Sequence, residues 1–139
     1  MKRQLPEWAT REYGGYGTAW WEAVGQCRAI LIGWARDGAL KTYTELSDRI
    51  SAIPWPEGAH THEGSQIGWL LGQVAVAEWA EGRPLLSAIV ISANTRRPSH
   101  GFYDLAMQLG EIPAGASSER QEEYWVGEVA KCFSESGYD

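Results

Sequence analysis

The chain has little cysteine, no long uninterrupted apolar run and no excess of positive charge. Its two cysteines, Cys27 and Cys132, lie far apart, which argues against a disulfide framework or a Cys-based metal or redox motif and favours two buried, reduced thiols. The most apolar segment carries Gln66, Gln73 and Glu78, so it is a poor membrane span. The first fifteen residues have no apolar signal core. These features predict a cytoplasmic protein without a membrane partner.

The formal net charge of −6 is distributed unevenly along the chain. Residues 1–110 hold ten basic and eleven acidic side chains, whereas residues 111–139 hold two basic and seven acidic ones. A long-range positive field of the kind that attracts nucleic acid is therefore excluded, although a local basic patch is compatible with this balance.

The sequence also lacks the common short catalytic and nucleotide-binding motifs. It contains no nucleophile elbow, no phosphate-binding glycine loop and no zinc-protease helix. The glycines of residues 14–17 precede a predicted helix but follow no clear strand, so they do not form a dinucleotide-binding fingerprint. We therefore predict no cofactor and do not assign the chain to an enzyme class.

What the sequence has in abundance is tryptophan. Eight occur in 139 residues, within an ordinary globular balance of 44% apolar and 22% charged residues. This length and composition predict one domain over residues 1–139. Residues 1–17 form an aromatic and glycine-rich arm with Trp8, Tyr13 and Tyr16. We expect the arm to fold over the core, with base or ring stacking as the alternative.

The spacing of apolar residues and helix caps predicts five helices and two strands. The helices are expected at residues 18–37, 44–53, 65–81, 102–109 and 118–134, and the strands at 41–43 and 85–91. Thr44 is the predicted cap of the second helix. Residues 102–103 could instead form a return strand. In the third helix Gly68 and Gly72 form a ridge of small residues, which favours close packing of another element over a binding groove.

The phrase ALKTYTELS at residues 39–47, together with the element order, resembles the strand-and-helix entry of winged-helix domains, including the helical domain of alkyltransferase-like proteins. The resemblance covers residues 18–103. It implies an α+β fold with a winged-helix-like centre, a small β-sheet and an additional C-terminal helical segment at residues 104–139. It also implies that residues 65–81 enter a DNA groove while residues 94–100 form the wing. Residues 65–81 contain no Lys or Arg, which leaves Gln66 and Gln73 as base-reading side chains. No Pro-Cys-His-Arg sequence occurs, so the resemblance does not extend to alkyl transfer.

A basic loop provides the leading candidate site. Arg96 and Arg97 present planar guanidinium groups that match phosphate or carboxylate, and Asn94, Thr95 and Ser99 add neutral donors. The alternatives are a solvated loop or a contact with the acidic final helix. The leading hypothesis is a non-catalytic binding module for an anionic partner, either nucleic acid or a nucleotide-like ligand. A protein partner held by the aromatic surface is a further possibility.

Two other sites are open alternatives. A small hydrolase or phosphodiesterase-like enzyme would use His100 as its acid–base residue, supported by Asp104 or Glu63. A metal site would use His60 and His62, but it would need a further ligand from elsewhere in the fold.

Overall fold

The computed structural model describes residues 3–55 and 66–134, where helices surround a very small sheet. The helices are α1 (Thr18–Arg36), α2 (Tyr43–Arg49), α3 (Gln66–Ala80), α4 (His100–Gln108) and α5 (Ser118–Phe133), and two 3₁₀ helices cover Glu7–Thr10 and Leu86–Ile89. Strands β1 (Lys41–Thr42) and β2 (Val90–Ile91) pair in parallel, with Lys41 opposite Val90. The mixed helical and strand content confirms the α+β class.

Helix α1 confirms the clearest amphipathic pattern of the sequence. The predicted stripe consists of Trp20, Val24, Cys27, Leu31 and Trp34, and all of these are buried except Val24, which is half-buried. Gly38 lies just after the end of the helix, and its φ of 67° is in the left-handed region that favours glycine. The apolar stripe therefore fixes which side of α1 faces the core.

The start of α2 differs from the prediction by two residues. Thr42, not Thr44, caps the helix, since its Oγ1 accepts a hydrogen bond from Glu45 N at 3.2 Å. Glu45 Oε1 accepts in return from Thr42 N at 3.1 Å, which completes a capping box. The helix also ends earlier than expected, at Arg49.

The predicted strand at residues 85–91 is wrong over most of its length. The 3₁₀ helix occupies residues 86–89, and only Val90 and Ile91 form a strand. The physical reason lies in α5, whose side chains serve backbone groups that a neighbouring strand would otherwise pair. Glu128 Oε2 accepts from Leu85 N at 2.7 Å, and Trp125 Nε1 donates to Ala88 O at 2.8 Å.

The winged-helix arrangement is not confirmed. The two described strands pair in parallel, and α4 begins at His100, so residues 102–103 are helical and not a return strand. Phe102, Leu105 and Ala106 follow helical spacing and are buried, which explains why this segment turns into a helix. No helix in the described ranges is both long and apolar enough to cross a membrane.

A buried carboxylate ties α3 to α1. Glu78 is 1% exposed and is paired with Arg28 of α1 and with Arg83, which follows α3. Burial alone would raise the pKa of Glu78, but the hydrogen bonds from the two guanidinium groups outweigh it and hold the pKa below its usual value. The pair with Arg28 thus fixes α3 against α1.

Candidate ligand-binding cleft

A cleft of about 360 Å³ lies between α3 and α4. Its walls are mainly aromatic and aliphatic, with four aromatic side chains: Trp8, Tyr43, Trp69 and Phe102. A small set of polar side chains also lines it: Ser87, Ser99, Asp104 and Gln108. A mostly apolar concave site with a few convergent polar groups is typical of small-ligand binding.

The N-terminal arm supplies one wall of the cleft. Trp8 packs on Gly72 of α3, where a β-carbon would lie 3.4 Å from the Trp8 ring. The Trp8 and Trp69 rings meet edge to face at a centroid distance of 5.8 Å. Gln73 Nε2 donates to Trp8 O at 3.3 Å. The arm therefore folds back on α3. Gly72 allows the close packing that the sequence predicts, and it also lines the cleft.

The hydroxyl of Ser87 is the most informative polar group in the cleft. Ser87 is 7% exposed, and its Oγ has no hydrogen-bond partner among the described residues. A buried polar group without a partner costs about 1–3 kcal/mol, so such groups in native proteins call for an explanation. The only other buried side-chain atom of this kind in the described ranges, Trp79 Nε1, belongs to a residue that does not line the cleft.

Tyr43 adds a second hydroxyl to the same cleft. Its oxygen accepts a hydrogen bond from Ser99 N at 2.8 Å, which joins the start of α2 to the residue before α4. Burial raises the pKa of Tyr43, so the phenol stays protonated at neutral pH. The side chain of Ser99 also hydrogen-bonds the phenol, so both the backbone and the side chain of Ser99 hold the Tyr43 hydroxyl in the cleft wall.

The basic loop is a tight turn that leads into the cleft. Arg96 N donates to Ser92 O and Ser92 N donates to Arg97 O, both at 2.9 Å. Arg96 has a φ of 59°, and it is the single non-glycine residue with a positive φ in the described part of the chain. A left-handed conformation costs an ordinary residue about 1–2 kcal/mol. Ser99 lines the cleft. Because Ser99 follows Arg97 by two residues, the Cα atoms of these two residues lie within about 7 Å of each other.

Both arginines have acidic neighbours within the chain. Arg97 Nη2 lies 2.6 Å from Glu122 Oε1 on α5, which is the contact with the acidic final helix that the sequence offered as an alternative. The pKa of Glu45 is lowered chiefly by the hydrogen bond from the Thr42 backbone, and the charge of Arg96 adds to the lowering. The Arg97–Glu122 pair is about half exposed, and such pairs contribute under about 1 kcal/mol.

The neutral donors of the loop are partly used by the turn itself. Thr95 Oγ1 accepts from Arg97 N at 3.3 Å and is 3.4 Å from Arg97 O, and Asn94 N donates to Ser92 Oγ at 3.3 Å. Among the predicted anion-binding residues, Ser99 is the one that lines the cleft. Its side chain makes no capping hydrogen bond at the start of α4.

Of the residues in the enzymatic and metal hypotheses, the structure describes His100 and Asp104, which lie one turn apart on α4. His100 is the exposed first residue of α4, and Asp104 follows one turn later and lines the cleft. Glu63, His60 and His62 lie outside the described residues. Within the described ranges, no group of three or more His, Cys, Asp or Glu side chains is arranged to hold a metal ion.

The two glutamines proposed for base reading are engaged inside the fold. Gln66 accepts from Tyr16 Oη at 2.9 Å and donates to Pro54 O at 2.6 Å. Gln73 accepts from Trp20 Nε1 at 2.6 Å as well as bonding the arm. Both side chains are buried, at 4% and 3% exposure, so neither is presented to a DNA groove.

Comparisons with known proteins give no independent identification of the fold or the cleft. No protein family matches the chain, and it has no match among curated proteins or among solved structures. The case for a function therefore depends on the geometry of this molecule.

Proposed function

We propose that the protein is a non-catalytic binding module that holds a nucleotide unit. A flat ring would occupy the cleft, and the phosphate would lie at the Arg96–Arg97 loop. The observation that carries the proposal is Ser87, a residue that lines an aromatic cleft and whose buried hydroxyl has no partner among the described residues. An acceptor atom of a heteroaromatic ring would give that hydroxyl its missing hydrogen bond.

The nature of the cleft wall supports a ring as the buried part of the ligand. Trp8, Trp69 and Phe102 supply flat apolar surface, and stacking of a base on an aromatic side chain contributes about 1–3 kcal/mol. The hydroxyl of Ser87 would supply a donor to a ring nitrogen or carbonyl acceptor. None of the described residues that line the cleft is basic, so the cleft itself favours a ring without negative charge.

The loop supports a phosphate as the exposed part. To bind a ligand, Arg97 would break only its ion pair with Glu122, and that pair is weak because solvent screens it. A guanidinium group binds phosphate through two parallel hydrogen bonds, which is a stronger interaction than an exposed ion pair. The strained backbone of Arg96 also favours a role for this turn, since strain of this kind is concentrated at binding sites.

The proposal leaves out one part of the sequence-based hypothesis and keeps another. A winged-helix-like centre that reads duplex DNA is not part of it, because the internal hydrogen bonds of Gln66 and Gln73 favour a structural role. A cytoplasmic location fits two buried thiols.

The test is a calorimetric titration with a mononucleotide, its nucleoside, ribose 5-phosphate and a short single-stranded oligonucleotide. We expect the mononucleotide to bind more tightly than either of its halves, and its affinity to fall with salt. Arg96→Gln with Arg97→Gln should weaken the phosphate-bearing ligands, whereas Arg120→Gln on α5 should not. Tighter binding of the oligonucleotide would identify a nucleic-acid strand as the source of the nucleotide unit. The proposal would be overturned by the absence of binding, or by salt-independent binding that the double variant leaves unchanged.

A further inference from the structure

Helix α4 lies along the cleft and gives it two electrostatically different ends. Gly101, Asp104, Leu105 and Gln108 line the cleft, and these positions follow the spacing of a single helix face. From Gly101 to Gln108 the helix rises by about 10 Å. A ligand in the cleft therefore lies beside most of the length of α4.

The N-terminal end of α4 favours negative charge. The first backbone N–H groups of a helix point outward and carry a partial positive charge. Arg96 and Arg97 come immediately before this end, and the side chain of Ser99 makes no capping hydrogen bond there. Ser87, which lines the same cleft, has a buried hydroxyl without a partner among the described residues.

The other part of the α4 face favours hydrogen-bond donors. Among the described residues that line the cleft, Asp104 is the single charged one. An ionised carboxylate accepts hydrogen bonds and cannot donate them. A phosphate near Asp104 would be repelled, whereas an N–H group would be bound by a charge-assisted hydrogen bond.

From this polarity we infer that the cleft selects nucleotides whose ring carries an exocyclic amino group, with Asp104 as the residue that determines the selection. This inference depends on the proposed nucleotide function and adds the orientation of the ligand. The phosphate lies at the Arg96–Arg97 loop, which precedes α4, and the amino edge of the ring lies at Asp104. The ring face rests on the aromatic wall between them.

Two pairs of purine 5′-monophosphates test the selection, because the members of each pair differ by one amino group. The first pair is AMP and purine riboside monophosphate, and the second is GMP and IMP. We expect the amino-bearing member of at least one pair to bind about three- to tenfold more tightly, a modest factor because Asp104 is exposed. Asp104→Asn should reduce that ratio to nearly one, and Glu123→Gln, at an exposed position of α5, should leave it unchanged. Thermal unfolding monitored by circular dichroism would establish that the variants keep their fold.

The outcomes separate this inference from the proposed function. If all four nucleotides bind with equal affinity, or if the preference survives in Asp104→Asn, the assignment of Asp104 is wrong while the nucleotide site stands. If none of the four binds, the nucleotide site and the selection are both overturned.

Discussion

Replacing Ser87 with alanine should stabilise the fold and weaken ligand binding. In the folded protein the hydroxyl is buried without a partner among the described residues, which costs about 1–3 kcal/mol. Removing it deletes that cost and leaves only a small void, so the free energy of unfolding should rise by about 1 kcal/mol. The bound ligand loses one hydrogen bond, worth about 0.5–1.5 kcal/mol, and its affinity should fall about 2- to 12-fold.

Urea unfolding followed by tryptophan fluorescence would measure the first effect, and calorimetric titration with the mononucleotide would measure the second. Ser47→Ala is the matched control. Ser47 is also buried, at 1% exposure, but its Oγ donates to Thr44 O at 3.1 Å. That variant should lose about 0.5–1.5 kcal/mol of stability and keep its affinity. If Ser87→Ala destabilises the protein as much as Ser47→Ala does and binds the nucleotide normally, the reasoning from the unpaired hydroxyl is refuted.

Three further predictions concern the loop, the buried ion pairs and the thiols. Arg96→Gly should stabilise the protein by about 1 kcal/mol in urea unfolding, because glycine adopts a φ of 59° without strain. The same variant should bind the nucleotide more weakly. A loss of stability would contradict the claim that the turn is strained. Glu78→Gln should cost about 1–3 kcal/mol at pH 7. Since the folded pKa of Glu78 is lowered, its contribution is present above the ordinary carboxyl pKa and is lost as the pH falls through the folded value. Stability measured from pH 6 to pH 3 should therefore decline less in the variant than in the wild type, and parallel profiles would refute the pairing. Burial raises the pKa of both thiols, that of Cys132 to about 12, so a thiol reagent at pH 8 should label Cys27 and Cys132 only after unfolding; rapid labelling of the native protein would contradict their burial.

Local sequence patterns were sufficient to predict most of the helices. The stripe of Trp20, Cys27, Leu31 and Trp34 predicts α1 because an amphipathic face has one way to be buried. A cap at Ser117 or Ser118 is the local signal for the start of α5, and the structure shows that Ser117 is the cap, since its Oγ accepts from Arg120 N at 3.1 Å. Where the sequence-based prediction was wrong, the cause was a contact between segments far apart in the chain. Residues 85–91 have the composition of a strand, but the side chains of α5 satisfy part of their backbone.

The cleft could not be predicted in the same way, because its walls come from segments far apart in the chain. Trp8, Tyr43, Ser87 and Phe102 meet only after the arm folds on α3 and α4 packs beside it. A lone serine in an apolar run carries no local sign that its hydroxyl lacks a partner. The one usable signal was the pair of small residues in α3, and Gly72 is indeed where Trp8 approaches. The basic loop was visible in the sequence, but its position next to the cleft was not.

The central claim is that the cleft between α3 and α4 binds a nucleotide. Titration with the mononucleotide, observed through the indole N–H signals of the eight tryptophans by NMR, tests this most directly. The account predicts saturable shifts that are largest for Trp8 and Trp69, which line the cleft, and small for Trp21 and Trp34 of α1, which do not. In Ser87→Ala the same shifts should saturate at a higher ligand concentration. Shifts that are absent, or equal at all eight indoles, would contradict it.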